Sequence, residues 1–197
     1  MEVIIALCLG ITLSAACGFR VFMPPLAMSL AAMSGHFPLA PGFEWVGTRE
    51  AAIALGIATI FEVCAYYIPF VDNLLDTVQV PVAVGIGTVI TAATLGHTDP
   101  VLQWTLAAIA GGGVAGVTKT LASLTRLAST GLTGGLGNFI VATIEAISSI
   151  SLSLLGLTFP LWTAAIFLGI LMVVVISLLT NPLPILNQAK GTTGKSF

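Results

Sequence analysis

The sequence predicts an all-α, polytopic membrane protein with about six transmembrane helices. Three observations carry that expectation. Of 197 residues, 57% are hydrophobic and only 7% are charged, whereas soluble domains carry roughly a quarter charged residues. The apolar residues gather in runs close to the roughly 17–25 that cross a bilayer. Glycines, prolines and short polar stretches separate those runs. A net charge of −2 leaves no basic footprint for nucleic acid, so the expected partners are membrane lipids and not a polynucleotide.

Six segments follow in order. The first covers residues 3–33 and is interrupted near Gly18–Pro25, where "LSAACGFRVFMPP" places an arginine and two consecutive prolines inside an apolar run. It is too long for one straight span and too short for two. Proline removes a helix donor and glycine weakens the turn ahead of it, so the segment is either a kinked, broken span or a re-entrant pair of half-helices. The second segment is 51–68, ended by Pro69. The third is 81–95, short and opened by Pro81. The fourth runs from Val101 through Gly111-Gly112-Gly113 to about Leu127. The fifth is 139–157 and the sixth 161–179, ended by Asn181-Pro182. Residues 1–185 therefore read as one transmembrane domain and 186–197 as a polar tail. The acidic start Met1-Glu2 lacks the basic flank of a signal peptide, so the N-terminus is expected to belong to the fold. Cys8, Cys17 and Cys64 all lie in apolar runs without metal spacing.

Loop charge orients this arrangement. With the N-terminus inside, the inner loops and tail hold Lys119, Arg126, Lys190 and Lys195, and the outer loops only Arg49, in accord with the positive-inside rule. Both termini are then cytoplasmic, and the loop "SGHFPLAPGFEWVGTRE" is outside. The halves 1–97 and 98–185 also align loosely as three plus three segments. Gly18-Phe19-Arg20 matches Gly116-Val117-Thr118-Lys119, and "ATIFE" ending in Glu62 matches "ATIE" ending in Glu145. An odd number of spans per half would make the repeats inverted, as in many transporters.

Ionisable residues at membrane depth mark candidate sites, because an arginine at mid-bilayer costs roughly 2.5–3.5 kcal/mol on insertion scales. Arg20 should face a cavity or a carboxylate, or else snorkel to a headgroup. Glu62 lies deep in the second segment, with Tyr66 one turn later on the same face; it could carry a proton or pair structurally with Arg20. Asp72, Asn73 and Asp76 follow, the aspartates at i and i+4, as cation ligands or an interfacial pair. Glu145 sits early in the fifth segment. Ahead of it "STGLTGGLGN" is either a tight turn or an unwound chain that aims backbone N–H groups near Asn138 at an anion. Gly112 and Gly116 have small-xxx-small spacing for helix packing, with local unwinding as the alternative. Lys119 and Arg126, spaced on an amphipathic stretch with Leu121, Leu124 and Leu127, either bind lipid phosphate or fix topology. His36 and His97 lie in loops, and no nucleophile, metal set or cofactor motif emerges.

The stretches "LSAACGFRVFMPP", "FEWVG", "EVCAYYIPFVDNLLDT", "GGGVAG" and "STGLTGGLGN" resemble a family of bacterial integral membrane proteins, domain of unknown function 4126. That resemblance covers nearly the whole chain. It implies a bacterial multi-pass membrane protein and transfers no catalytic residue; the cytoplasmic (inner) membrane is the expected location.

These readings converge on a small transporter, acting as a homodimer, for a small anion or lipid phosphate. Arg20 would bind the anion, while Glu62 or Glu145 would exchange protons or pair with Arg20 between substrates. A cation pathway through Glu62, Asp72, Asp76 and Glu145, and a non-transporting scaffold, are the alternatives. No enzymatic activity is expected.

Overall fold

A computed structural model describes residues 2–96 and 98–180, apart from the side chains of residues 69–74, 76 and 77. The regular structure described is entirely helical. It comprises α1 (Glu2–Phe19), α2 (Met23–Met33), a 3-10 turn (Glu44–Gly47), α3 (Arg49–Ala65) and α4 (Pro69–Thr94). These are followed by α5 (Pro100–Leu106), which runs through a π-helical stretch (Ala107–Gly112) into α6 (Gly113–Thr133), and then by α7 (Asn138–Thr158) and α8 (Pro160–Thr180). Four helical stretches, Glu2–Phe19, Pro100–Thr133, Asn138–Thr158 and Pro160–Thr180, are long and apolar enough to cross a membrane. His97 and the tail 186–197, with Lys190 and Lys195, lie outside the described residues.

The distribution of polarity is that of a protein dissolved in lipid. Phe61, Ile109 and Leu132 are exposed, at 72%, 72% and 84%, while Arg20, Lys119, Thr12, Ser14 and Ser149 are fully buried. Hydrocarbon is as apolar as leucine, so packing cannot draw on the hydrophobic effect. Small residues and buried hydroxyls take over the helix contacts. Ser14 Oγ donates to the Gly87 carbonyl at 2.7 Å and lies 2.9 Å from Thr91 Oγ1, joining α1 to α4. Ser149 Oγ donates to the Ala16 carbonyl at 3.1 Å, joining α7 to α1. A Cβ on Gly18 would meet the Thr118 side chain and come within 2.9 Å of the Ala115 carbonyl oxygen, so α1 and α6 touch almost backbone to backbone.

The interrupted first segment is a hairpin. Leu13 and Cys17 of α1 share a core cluster with Met28 of α2 and Val46, and Phe37 and Leu39 pack on it. The stretch Phe37–Pro41 lines one cavity together with Glu2, Val3, Ile5, Ala6 and Leu9. Residues just beyond α2 thus lie beside the first turns of α1, at the end of that helix remote from Arg20. The chain must reverse at Arg20–Phe22. The α2 half-helix has 11 residues, about 16 Å, and cannot span a bilayer.

This reversal corrects the expected placement of residues 34–50 opposite the N-terminus, because that loop sits at the N-terminal end of α1. It also removes a premise of the charge-based orientation. Lys119 and Arg126 are not loop residues but lie buried on α6, so they cannot report which side is cytoplasmic.

Other boundaries shift for local reasons. The third segment starts at Pro69, not at Pro81. Pro69 occupies the first turn, where no helical N–H is needed, and Pro81 is carried inside the helix on its exposed face. The glycine run at 111–116 packs against α4. A Cβ on Gly112 would fall 2.5 Å from Thr88 Oγ1 and one on Gly116 2.8 Å from Val84 Cγ2. The backbone there widens into a π-helical turn instead of unwinding. The run 129–138 is a turn: α6 continues to Thr133 and ends at Gly134 with φ +64°, a left-handed cap that glycine adopts without Cβ strain. Thr48 and Asp99 cap α3 and α5 through Ala51 N and Val101 N.

Packing divides the chain into two units, Met1–Ala164 and Ala165–Phe197. Within the second, the rest of α8 bears exposed Ile166, Ile170, Met172, Val173 and Leu179.

If the α1–α6 seam depends on close approach, Gly18→Val should destabilise the detergent-solubilised protein by about 1–3 kcal/mol, the usual cost of overpacking. Gly56→Ala, inside α3 and with nothing within 4 Å of its new Cβ, should not destabilise the protein and should gain up to about 1 kcal/mol of helix propensity. Thermal unfolding followed by circular dichroism checks both.

Candidate functional site

The reversal at Arg20–Phe22 creates the chemical problem that the site solves. The N–H of Arg20 still bonds to the Ala16 carbonyl at 3.1 Å, but Val21 and Phe22 begin the next helix and have no preceding turn to donate into. Their N–H groups donate to the two carboxylate oxygens of Glu62, at 2.7 and 3.0 Å. Pro24 and Pro25 occupy the first turn of α2 and have no N–H to satisfy, so the double proline reduces the number of orphan donors at the break. A carboxylate at a helix N-terminus is also favoured by the helix dipole. Glu62 is therefore the anchor of the hairpin tip. Gln79 of α4 supports it, its Nε2 donating to Glu62 Oε1 at 3.3 Å.

The Arg20 side chain is wholly buried. Its Nη2 donates to the Ala142 carbonyl of α7 at 2.7 Å and lies 3.8 Å from Glu145 Oε2. Among the described residues its Nε and Nη1 have no hydrogen-bond partner. A guanidinium offers five N–H donors, and the three on Nε and Nη1 are unused among the described residues. Its plane lies over the Tyr66 ring, Cζ 3.9 Å from the centroid.

Tyr66 caps α3 and separates two arginines. Arg126 of α6 lies over the ring as well, at 4.0 Å. The Tyr66 hydroxyl donates to Gln79 Oε1 and accepts from Lys119 Nζ at 2.7 Å. Arg126 in turn grips Glu145 with both arms, Nε to Oε1 at 3.0 Å and Nη2 to Oε2. Glu145 thus faces both guanidiniums, held closely by one and at a longer distance by the other. Such forked pairing is the stronger form of the arginine–carboxylate bond.

Five of the expected residues therefore meet: Arg20, Glu62, Tyr66, Lys119 and Glu145. Asn138 does not join them. It belongs to the α6–α7 turn, where its Nδ2 donates to Thr130 Oγ1 at 3.0 Å, about 10 Å along α7 from Glu145. The Gly137 N–H of the same turn is taken by Thr133 Oγ1 at 2.9 Å. Positions 72, 73 and 76 fall in the first turns of α4; the side chains of Asp72, Asn73 and Asp76 lie outside the described residues.

Two members were missed as site residues. Arg126 lies seven residues after Lys119, hence on the same helix face, and that spacing was the available signal. With Leu121, Leu124 and Leu127 the pattern reads as an amphipathic stretch at the membrane surface, where Arg126 would bind lipid phosphate or fix topology. Leu127 is exposed and Leu121 and Leu124 are half-buried, while both cations are buried. Gln79 gave only one amide in an apolar helix.

The surroundings define the class before any relative does: an all-helical protein whose apolar helices mark it as membrane-embedded, with a polar cluster at a chain reversal in its interior. The family model described as domain of unknown function (DUF4126) matches residues 7–180, and the chain belongs to that family. No curated protein and no solved structure matches it.

Glu62→Ala should leave the Val21 and Phe22 N–H groups without acceptors, each costing about 1–3 kcal/mol. Hydrogen exchange read by mass spectrometry should show faster exchange confined first to residues 20–23. Unchanged exchange there would mean that the carboxylate does not hold the tip.

Proposed function

We propose that the protein is a small multi-pass carrier for a small or lipid-linked anion, and that Arg20 is the group that binds it. The single observation behind this reading is the fully buried guanidinium whose Nε and Nη1 have no hydrogen-bond partner among the described residues. Membrane interiors penalise such a group heavily, and an anion with oxygens in hydrogen-bond reach would complete it. Planar, multi-donor geometry suits carboxylate or phosphate oxygens.

In this reading the α1–α2 hairpin enters the bilayer from one side, and α3, α4, α5–α6, α7 and α8 accompany it as membrane segments. A hairpin that does not cross leaves the first half with an even number of crossings, so in this reading the two halves share one orientation and are not inverted. Glu62 and Glu145, which match between the halves, both contribute to one cluster, as expected for a site at a repeat interface. We place the protein in the bacterial cytoplasmic membrane, as a homodimer that thickens the wall around the pathway.

A cation pathway is less well supported. The oxygens of Glu62 and Glu145 already accept from Val21, Phe22, Gln79 and Arg126, and the guanidiniums beside Glu145 repel a cation. A scaffold role draws on a different observation, the close glycine contacts between α1, α4 and α6, and is separated by the same experiment.

In proteoliposomes, wild-type protein should give saturable uptake of one or more of phosphate, phosphonate or carboxylate probes. Arg20→Ala should reduce it at least ~100-fold, since losing one charge-assisted contact to substrate costs about 3 kcal/mol or more. The variant should still elute as a single folded species. Absence of flux in the wild type, with Arg20→Ala lowering only thermal stability, would overturn the carrier reading in favour of a scaffold.

A further inference from the structure

Arg20 is held in place with much of its hydrogen-bonding edge uncommitted. Arg126 commits both Nε and Nη2 to Glu145, the usual forked pairing of a buried guanidinium. Arg20 makes no such pair. Its Nη2 donates to the Ala142 carbonyl at 2.7 Å and stays 3.8 Å from Glu145 Oε2, too far for a hydrogen bond. Nε and Nη1 have no partner among the described residues. The charge is met instead by the ring of Tyr66, 3.9 Å from Cζ. An aromatic face attracts a cation through its quadrupole and supplies no oxygen acceptor. It can therefore hold an arginine and leave donors for another ligand.

We infer that Tyr66 is the positioning residue of the anion site: its ring holds the Arg20 guanidinium off Glu145 and leaves the Nε and Nη1 donors to an incoming oxyanion. This rests on the carrier reading above and names what keeps its binding group open.

Local structure explains how the ring comes to lie there. Tyr66 follows Glu62 by four residues and shares its face of α3. That face meets the chain break twice. Glu62 accepts the N–H groups of Val21 and Phe22, and Tyr66 covers the side chain of the residue before them. The ring is buried, and its hydroxyl is fixed at both ends of its bonding capacity, donating to Gln79 Oε1 and accepting from Lys119 Nζ at 2.7 Å. Gln79 also donates to Glu62 Oε1 at 3.3 Å, so the anchor of the tip and the clamp on Arg20 are tied to each other. Without the ring, Arg20 loses the contact that competes with Glu145. Closing the 3.8 Å gap would then occupy donors that an anion needs.

Ring and hydroxyl thus do separable work. The hydroxyl contributes hydrogen bonds, hence stability, and the ring sets the state of Arg20. A tyrosine that only fills space predicts that stability and anion affinity fall together.

The chain has three arginines, Arg20, Arg49 and Arg126, so isotope-labelled arginine gives three Nε–H signals in an NMR spectrum. Arg20→Lys, Arg49→Lys and Arg126→Lys tell them apart. The full-length protein in neutral detergent is titrated with formate and, separately, with inorganic phosphate. In wild type at least one anion should move the Arg20 signal along a saturable curve. Tyr66→Phe keeps the ring and should melt on the order of 5 °C lower, with half-saturation within about threefold of wild type. Tyr66→Leu should raise half-saturation at least about tenfold; Tyr66→Met takes its place if the leucine variant does not fold.

Equal weakening in Tyr66→Phe and Tyr66→Leu would assign the effect to the hydroxyl and overturn the inference. So would unchanged half-saturation in Tyr66→Leu, or a wild-type Arg20 signal that neither anion moves. If wild-type vesicles still carry an Arg20-dependent anion flux in those cases, only the role of Tyr66 is lost. If the ring effect is found and no flux is, the carrier reading falls while the anion site held by Tyr66 stands.

Discussion

The constraint on which this structure turns is the chain reversal at Arg20–Phe22, buried among apolar helices. Lipid offers no hydrogen bonds, so every backbone group freed by the reversal must be satisfied by protein. One acidic side chain does most of that. The Glu62 carboxylate accepts from the N–H groups of Val21 and Phe22, and the prolines at 24 and 25 shorten the list of donors that remain. From that single arrangement the rest of the centre follows. A carboxylate held in the interior draws cations and amides around it. Arg20 is carried to the tip of the hairpin, next to α7. Tyr66 closes α3 with its ring between Arg20 and Arg126. The polar network is large because it began with an unavoidable polar group, and each further member answers a charge or donor left by the one before.

The network joins elements that the packing alone would hold only loosely. In lipid, helix contacts come from close approach and interhelical hydrogen bonds, and these are what α1, α4, α6 and α7 show. The Gly18 contact with Thr118, and Ser14 with Gly87 and Thr91, seal the bundle on the side of the cluster that leads toward the N-terminus of α1. The polar centre is thus bounded by tightly packed backbone along α1. An open cavity near Glu2, Leu9 and Phe37–Pro41 lies at that far end. Rigid walls with one incompletely bonded guanidinium inside them are the physical content of the carrier proposal.

Much of this could be read from the sequence, and the parts that could not share a cause. The interruption at Gly18–Pro25 was visible because two adjacent prolines and an arginine have no place in a simple span. Glu62, Tyr66 and Glu145 were visible because charge and aromatic hydroxyl stand out in apolar runs. The direction of α2 was not visible: a kinked span and a hairpin use the same residues, and only long-range contacts such as Cys17 and Met28 in one core distinguish them. Arg126 and Lys119 were misplaced because an amphipathic pattern does not say which face meets solvent, and lipid inverts the rule that holds in water. In the sequence Pro81 reads as a boundary although a membrane helix can carry proline inside, while Pro69, at the true start, reads as the end of the helix before it.

The most direct measurement asks whether the hairpin tip is wet. In a background with Cys8, Cys17 and Cys64 replaced by serine or alanine, a cysteine at Phe22, half-buried beside the break, is compared with one at Ile60, exposed on α3 at 65%. The proteins are treated with a charged, membrane-impermeant methanethiosulfonate in proteoliposomes. The account predicts that Phe22→Cys reacts from water and is protected by a bound anion, while Ile60→Cys, facing lipid, stays inert. Equal inertness at both positions, with or without anion, would show a dry interior and contradict the existence of an anion site at Arg20.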